Sequence, residues 1–376
     1  PQPLFEAAIA SPYGTAIVNA AALRRHETGG DWGHAWAQTD SDGIGTGPYR
    51  VTSFDPSQGV ALERFAGYWG GWDGPHFDQI AARVVVEPET RRELIEQGTA
   101  DIVQTLPFAA LPVLSRNPDL VVDRRANLAV WYIAMTQGGA LRSPLARQAL
   151  CWAFPYDQVI AGVYDGFARR AVGPVAELCR GFAPDTFVYQ TDLDRARSLL
   201  RQAGVADGTG LTLLLPPGNA DTQAIAALFQ ANLTQIGLTL AIERVDFGTY
   251  VSIFTGDQPA DERPNLLPSF WQPDYDDGWS QLWPQASCDA WKVGNGGHYC
   301  NERVETLLAQ AKNATDDQAY LSALAQAQQI VTRDDPAAIY FAQPEWATVL
   351  RRDVGGFAPN LIVGEIIDFY ALFRIA

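Results

Sequence analysis

Apolar positions recur along this chain at two spacings. At the spacing of an amphipathic helix they predict helices over Glu89–Gln97, opened by Pro88 and stopped by Gly98, and over Pro144–Ala153, with proline in its first turn. Asp192 caps a third, Leu193–Ala203, which Gly204 ends; Thr222–Ile236 follows, closed by Gly237, then Asn301–Asn313 and Asp316–Val331. Alternating or short β-rich runs predict strands at Tyr49–Phe54, Val60–Phe65, Ala82–Val86, Asp101–Leu106 and Val130–Met135. Further strands are predicted at Leu211–Leu215, Leu238–Val245, Asn265–Phe270, Ala338–Ala342 and Ala347–Arg351. Asp55-Pro-Ser-Gln-Gly59 joins the first two as a hairpin. The first 38 residues mix helical spacing at Leu4, Ala8 and Ile9 with Gly and Trp, and the tail Ile366–Phe373 is apolar and β-rich. From about residue 130 strands alternate with helices, which predicts an α/β layer with a mixed sheet. Residues 1–125 are richer in strands and turns, so the chain divides near Asn127.

Length and charge narrow the class. The 376 residues are enough for two or three domains at roughly 100–200 residues each. Hydrophobic residues make up 47% and charged residues 19%, a globular composition. Lys+Arg is 27 and Asp+Glu 43, so 27 − 43 = −16, which argues against a nucleic-acid or anionic-lipid partner. No apolar run approaches the ~18 residues of a membrane span. The chain starts at Pro1 without a basic-then-apolar leader, as expected of a processed or truncated product. Cys288 and Cys300 flank a polar, Gly-containing stretch and are expected to bridge, with two free thiols as the alternative. Such a loop closure contributes ~3 kcal/mol in the chain-entropy model. Cys151 and Cys179 form a second candidate pair, and bridges would place the protein outside the cytoplasm.

The usual catalytic and cofactor patterns are weak. Gly43-Ile-Gly45-Thr-Gly47 is followed by Pro48 and a strand, where a dinucleotide loop needs a helix. Asp40-Ser-Asp42-Gly43 lacks the later ligands and closing Glu of a calcium loop. His26, His34, His76 and His298 are scattered, so no metal and no cofactor is expected. The richest segment is Ser269-Phe-Trp-Gln-Pro-Asp-Tyr-Asp-Asp-Gly-Trp-Ser280, with four aromatics around three carboxylates. Rings with a few oriented polar groups suit a small-molecule cleft, and a desolvated carboxylate beside them favours a cationic group such as an amine. The plain alternative is a loop whose tryptophans only pack.

Several motifs then fall in order: Gly45-Thr-Gly-Pro-Tyr49, Tyr68-Trp69-Gly70-Gly71, Phe77-Asp-Gln-Ile80, Gly98-Thr-Ala-Asp-Ile102 and Pro144-Leu-Ala-Arg-Gln-Ala-Leu150. Asp192–Gly204, Gln230 to Gly237 and Trp271-Gln-Pro-Asp-Tyr275 continue the series. It resembles the bacterial extracellular solute-binding proteins of family 5, receptors of ABC importers for peptides, nickel chelates and some oligosaccharides. The resemblance implies a two-lobed α/β periplasmic-binding-protein architecture, type II and cluster C-like, with mixed sheets and a hinge. Lobe one would be residues 1–126 plus 344–376 and lobe two 127–343. Family members are longer at the N-terminus. The resemblance therefore implies that lobe one lacks an N-terminal segment, cleaved, left out, or carried on a separate fragment.

By the same resemblance Asp274 pairs with a ligand α-ammonium and Trp271 and Tyr275 wall the site. Gln272, Trp279, Trp131, Asn219 and Gln223 are the further candidate ligand-binding residues. The stretch Asn219-Ala-Asp-Thr-Gln-Ala224 has no Arg to match the carboxylate anchor of dipeptide-binding relatives. The family's second-lobe disulfide resembles the Cys288–Cys300 spacing. The expected protein is a non-enzymatic periplasmic receptor that holds a peptide-like ligand in an interlobe cleft and delivers it to an inner-membrane ABC permease. Its alternatives are an oligosaccharide receptor of the same family, a carboxylate-dependent hydrolase built around Asp274, Asp276 and Asp277, and an interaction subunit that binds no small molecule.

Overall fold

The computed structural model describes residues 4–11, 17–39, 45–216, 220–364 and 366–375. The readings placed on Asp40, Asp42 and Gly43 lie outside these residues. The strands are β1 (Tyr49–Asp55), β2 (Gly59–Arg64), β3 (Gln79–Arg83), β4 (Ile102–Gln104), β5 (Leu120–Arg125), β6 (Val130–Met135) and β7 (Ala168–Arg169). They continue as β8 (Gly210–Leu215), β9 (Thr239–Arg244), β10 (Leu266–Trp271), β11 (Ala338–Pro344), β12 (Trp346–Arg351), β13 (Val354–Gly355) and β14 (Phe373–Arg374).

The described chain forms two compact units. The larger takes Ala126–Glu345 with the described residues before Tyr13, and the smaller takes the described part of Gly14–Arg125 with the chain from Trp346. The chain therefore changes unit between the described residues Ser11 and Ile17, at Arg125/Ala126 and at Glu345/Trp346. The helix Phe5–Ala10 groups with the larger unit, whereas the sequence expectation put residues 1–126 together.

In the larger unit six strands form one mixed sheet in the order β7-β11-β6-β10-β8-β9. β10, β8 and β9 run parallel, and β6 is antiparallel to both its neighbours. β11 is buried along its whole length and β6 everywhere but Trp131. Continuous apolar runs of this kind mark strands covered on both faces. The helix Pro144–Ala153 buries Ala146, Ala149, Leu150 and Trp152, and with them Arg147, only 1% exposed. Arg147 donates to the carbonyls of Leu141 (2.6 Å), Arg142 (3.0 Å) and Pro336 (3.0 Å) and to the Asp335 carboxylate. Asp335 also accepts from Tyr299 (3.2 Å) and Asn301 (2.7 Å), so every charge of this buried pair is met.

The smaller unit contains two three-stranded sheets, β1-β2-β3 and β4-β12-β5, and the short pair β13-β14. The β1–β2 turn is set locally. The Asp55 carboxylate accepts from the Ser57 N–H (2.8 Å) and hydroxyl (2.6 Å), and Gly59 takes φ 128° where a Cβ would meet the Ala82 carbonyl at 2.0 Å. A groove of about 820 Å³ runs along β2 and β3 on one side and β4 with the helix Pro88–Glu96 on the other. Among the described residues β3 and β4 each keep one edge without a strand partner.

Two further expectations are corrected. Cys288 and Cys300 are bridged, but Cys151 and Cys179 are separate buried thiols. Cys151 packs near Arg147 and Tyr189, Cys179 beside Asp276 and Arg180, and burial pushes both thiols up. The apolar tail contributes only Phe373–Arg374 to a strand. Tyr370 instead stacks on His76 (4.7 Å) and meets Trp72 (5.3 Å), so its apolarity serves packing rather than a ladder.

Candidate functional site

β8 and β10 are parallel neighbours, so the chain leaves both at one edge of the larger unit's sheet. After β10 comes the segment 272–278, and after β8 the helix Ala220–Gln235. β6 runs the other way and begins at that edge, with Trp131 opposite Phe270. The register thus gathers Trp131, Trp271, Gln272, Asp274, Tyr275 and Gln223 at one sheet edge. Asn219 lies outside the described residues.

The individual side chains divide by role. The Trp131 and Phe270 rings stack at 4.8 Å and 18°, and Phe270 is 45% exposed, so this pair presents an open aromatic face. Trp271 is the next residue and turns to the other face of the pleat. Its indole N–H donates to the Ser280 carbonyl (2.8 Å), and its ring lies so close to Gly294 that a Cβ there would sit 2.7 Å away. Trp271 is thus a packing residue between β10 and the helix Trp279–Ala286. Trp279 starts that helix, and its backbone N–H donates to Asp277 (2.8 Å).

Asp274 is half-buried, and its carboxylate has no hydrogen bond or ion pair with any described residue. Burial alone raises its pKa above the ordinary value. Its carbonyl accepts from the Ser11 hydroxyl, which fixes the backbone without touching the charge. Two positions earlier the Gln272 side-chain oxygen is buried with no donor among the described residues. Tyr275 stays a neutral phenol, its pKa raised first by burial and then by the carboxylates of Asp277 and Asp274. The loop therefore offers two acceptors that lack donors, which suits a group carrying several N–H bonds and a positive charge.

The other carboxylates of the loop are placed differently. Asp276 is exposed, while Asp277 is 2% exposed and bonded to Arg180, Tyr320 and the Trp279 N–H. Gln223 accepts from Arg244 Nη2 (3.1 Å), the last residue of β9. β9 runs parallel to β8, so this guanidinium also reaches the same edge. Sequence reading sought a cation only on the helix; the signal that finds Arg244 is its place at the end of a strand parallel to β8. Among the described residues no group of three or more His, Cys, Asp or Glu could hold a metal ion, and no helix is long and apolar enough to cross a membrane.

Comparison with known proteins gives three results. The chain matches the family described as bacterial extracellular solute-binding proteins, family 5 Middle, over residues 3–293. It is 29% identical over 277 residues to the glutathione-binding protein GsiB of Pectobacterium atrosepticum, covering 73% of this chain and 53% of that protein. It is 25% identical over 365 residues to the probable D,D-dipeptide-binding periplasmic protein DdpA of Escherichia coli, covering 96% of this chain and 68% of the relative. This chain thus spans about half the length of the first relative and about two thirds of the second. In fold it resembles the Helicobacter pylori periplasmic binding protein DppA in complex with the peptide STSA, with TM-score 0.85 at 23% identity, over 100% of this chain and 71% of that one. The dipeptide binding protein of Pseudoalteromonas sp. SM9913 in complex with Met-Leu gives TM-score 0.85 at 21% identity, over 99% and 72%.

Proposed function

Because the chain belongs to the bacterial extracellular solute-binding proteins of family 5, we propose that it is an exported receptor of an ABC importer that captures a short peptide or related amine-bearing molecule. The observation that carries this reading is Asp274, a half-buried carboxylate with no partner among the described residues. A half-buried charge is costly until something neutralises it, and perturbed carboxylates of this kind are candidates for functional sites. A ligand ammonium supplies the missing cation, and the Gln272 oxygen takes another of its N–H bonds. Arg244 at the same sheet edge is the counterpart for a ligand carboxylate. The relatives bind glutathione, a dipeptide or a peptide by name, all of which carry an α-amine. The partner in this reading is an inner-membrane ABC permease.

Isothermal titration with Met-Leu and with glutathione tests the proposal. Stoichiometric, saturable heat without product is expected, and Asp274→Asn is expected to cost ~2–5 kcal/mol of affinity, as for a truncated buried charge pair. Unchanged affinity in that variant rejects Asp274 as the anchor. The Trp131–Phe270 face supports the second reading, an oligosaccharide stacked on the rings. That reading predicts binding of an oligosaccharide with no dependence on Asp274.

A further inference from the structure

The loop that carries Asp274 is fastened unevenly. Its second half is tied in several ways. Asp277 N–H donates to the Tyr275 carbonyl (2.6 Å), and the Ser280 hydroxyl spans the carbonyls of Tyr275 and Asp277, each at 2.9 Å. Gly278 N–H donates to the Arg180 carbonyl (2.7 Å), and the Asp277 carboxylate takes the Trp279 N–H (2.8 Å), Tyr320 and Arg180. The first half has little of this. Pro273 is buried but has no N–H to give. The one hydrogen bond that Asp274 makes with a described residue is at its carbonyl, and the donor is the Ser11 hydroxyl, 263 residues away in the chain. Ser11 follows the helix Phe5–Ala10, which buries none of its residues; Phe5 and Ile9 on it are 60% and 50% exposed. Leu4, just before that helix, is buried. The segment is thus held at its ends rather than along a helix face, and the end at Ser11 is held on the Asp274 loop.

We propose that Ser11 is a positioning residue for the ligand site: by fixing the Asp274–Tyr275 peptide plane it keeps the Asp274 carboxylate aimed at a ligand ammonium. The direction in which a side chain leaves the backbone is set by the peptide planes on either side of its Cα. Before Asp274 stands Pro273, whose ring fixes its own φ. After it stands the plane that contains the Asp274 carbonyl, and beyond that the Tyr275 carbonyl is clamped by Asp277 and Ser280. Without the Ser11 hydroxyl the plane between these two restraints is free to rotate, and the carboxylate turns with it. Ser11 touches the carbonyl and not the charge, so it restrains the anchor without neutralising it. A ligand's apparent affinity falls with the fraction of molecules in the competent arrangement. The net worth of one hydrogen bond corresponds to a change of about two- to tenfold in that fraction. By linkage a bound ligand must in turn strengthen the Ser11 bond. This inference rests on the reading of Asp274 as the amine anchor.

A double-mutant cycle read by Met-Leu titration tests the proposal. Ser11→Ala is expected to weaken binding about two- to tenfold, and Ser11→Thr, which keeps the hydroxyl, to restore it. In Asp274→Asn there is no charge left to aim, so adding Ser11→Ala is expected to change the residual affinity little. Equal losses in both backgrounds overturn the proposal, because a Ser11 that only supports the fold acts alike with or without the anchor. Wild-type affinity in Ser11→Ala, or a loss that Ser11→Thr does not restore, overturns it as well. Hydrogen exchange decides where Asp274→Asn binds too weakly to titrate. Met-Leu is expected to slow exchange of the Ala8 amide, which donates to the Leu4 carbonyl (2.9 Å), in the wild type and not in Ser11→Ala. Exchange there that ignores the ligand in the wild type counts against the proposal. Undiminished Met-Leu affinity in Asp274→Asn alone defeats the amine-anchor reading instead, whatever the Ser11 variants show.

Discussion

Asp274 carries a charge in a half-buried place where no described group neutralises it, and two pH effects follow with opposite signs. Its carboxyl titrates above the ordinary value in the free protein. A bound ammonium favours the charged form and draws the pKa back down. Affinity for an amine ligand is therefore full above the raised value and falls as the pH drops through it. Folding runs the other way. The unfolded chain releases this proton at lower pH than the folded one, so the free protein gains stability as the pH falls from the raised value toward the unfolded one. Asp274→Asn is expected to flatten the pH dependence of Met-Leu binding in titration calorimetry. In scanning calorimetry of the free protein it should melt above the wild type at neutral pH and converge with it on acidification. A variant that melts no higher at neutral pH would contradict the desolvation account. In sequence, Asp274 stood apart from Asp276 and Asp277 only through the family resemblance, since composition cannot tell an open carboxylate from a saturated one. Asp277 is distinguished by Arg180 and Tyr320, which lie 97 and 43 residues away in the chain.

Among the elements, the helix Pro144–Ala153 shows what patterning can and cannot convey. Its bounds follow from Pro144 at the first turn and from the apolar run to Ala153. That Arg147 faces inward does not, because its partners belong to the turn before β11 and to the loop before the helix. Arg147→Ala leaves Asp335 charged and short of its cation, and is expected to cost ~3–5 kcal/mol. The check is a urea unfolding midpoint that falls while the slope stays constant; a loss well under 1 kcal/mol would mean that Tyr299 and Asn301 suffice for Asp335. Strand β6 was legible to the residue because a run buried on both faces is continuously apolar. The helices Phe247–Phe254 and Trp279–Ala286 were not read. The second contains Pro284, which argues locally against a helix, and it forms because tertiary packing buries Leu282, Gln281 and Gln285. β3 begins three residues before the expected Ala82, since its first positions alternate too weakly to register.

At the scale of the molecule, the crossings after β5 and after β11 fall close to the expected division, and a further change of unit puts the described residues 4–11 with the larger unit. Composition missed this because a short helix such as Phe5–Ala10, with no buried residue, carries no sign of the unit it joins. Among the described residues the smaller unit keeps the edges of β3 and β4 without a strand partner beside its groove. Unpaired strand edges are templates for another chain, and the residues along them here, Gln79, Arg83 and Gln104 among otherwise apolar neighbours, give little protection. The net charge of −16 on this 376-residue chain opposes such pairing by a long-range repulsion that salt screens over about 10 Å at 0.1 M. Light scattering should therefore show self-association that grows with protein concentration and with added salt, and Ala81→Lys on β3 should suppress it. Scattering indifferent to both would mean the edges are already quiet. On this account the acidity is a colloidal safeguard: it keeps an open strand edge from pairing with a neighbouring copy.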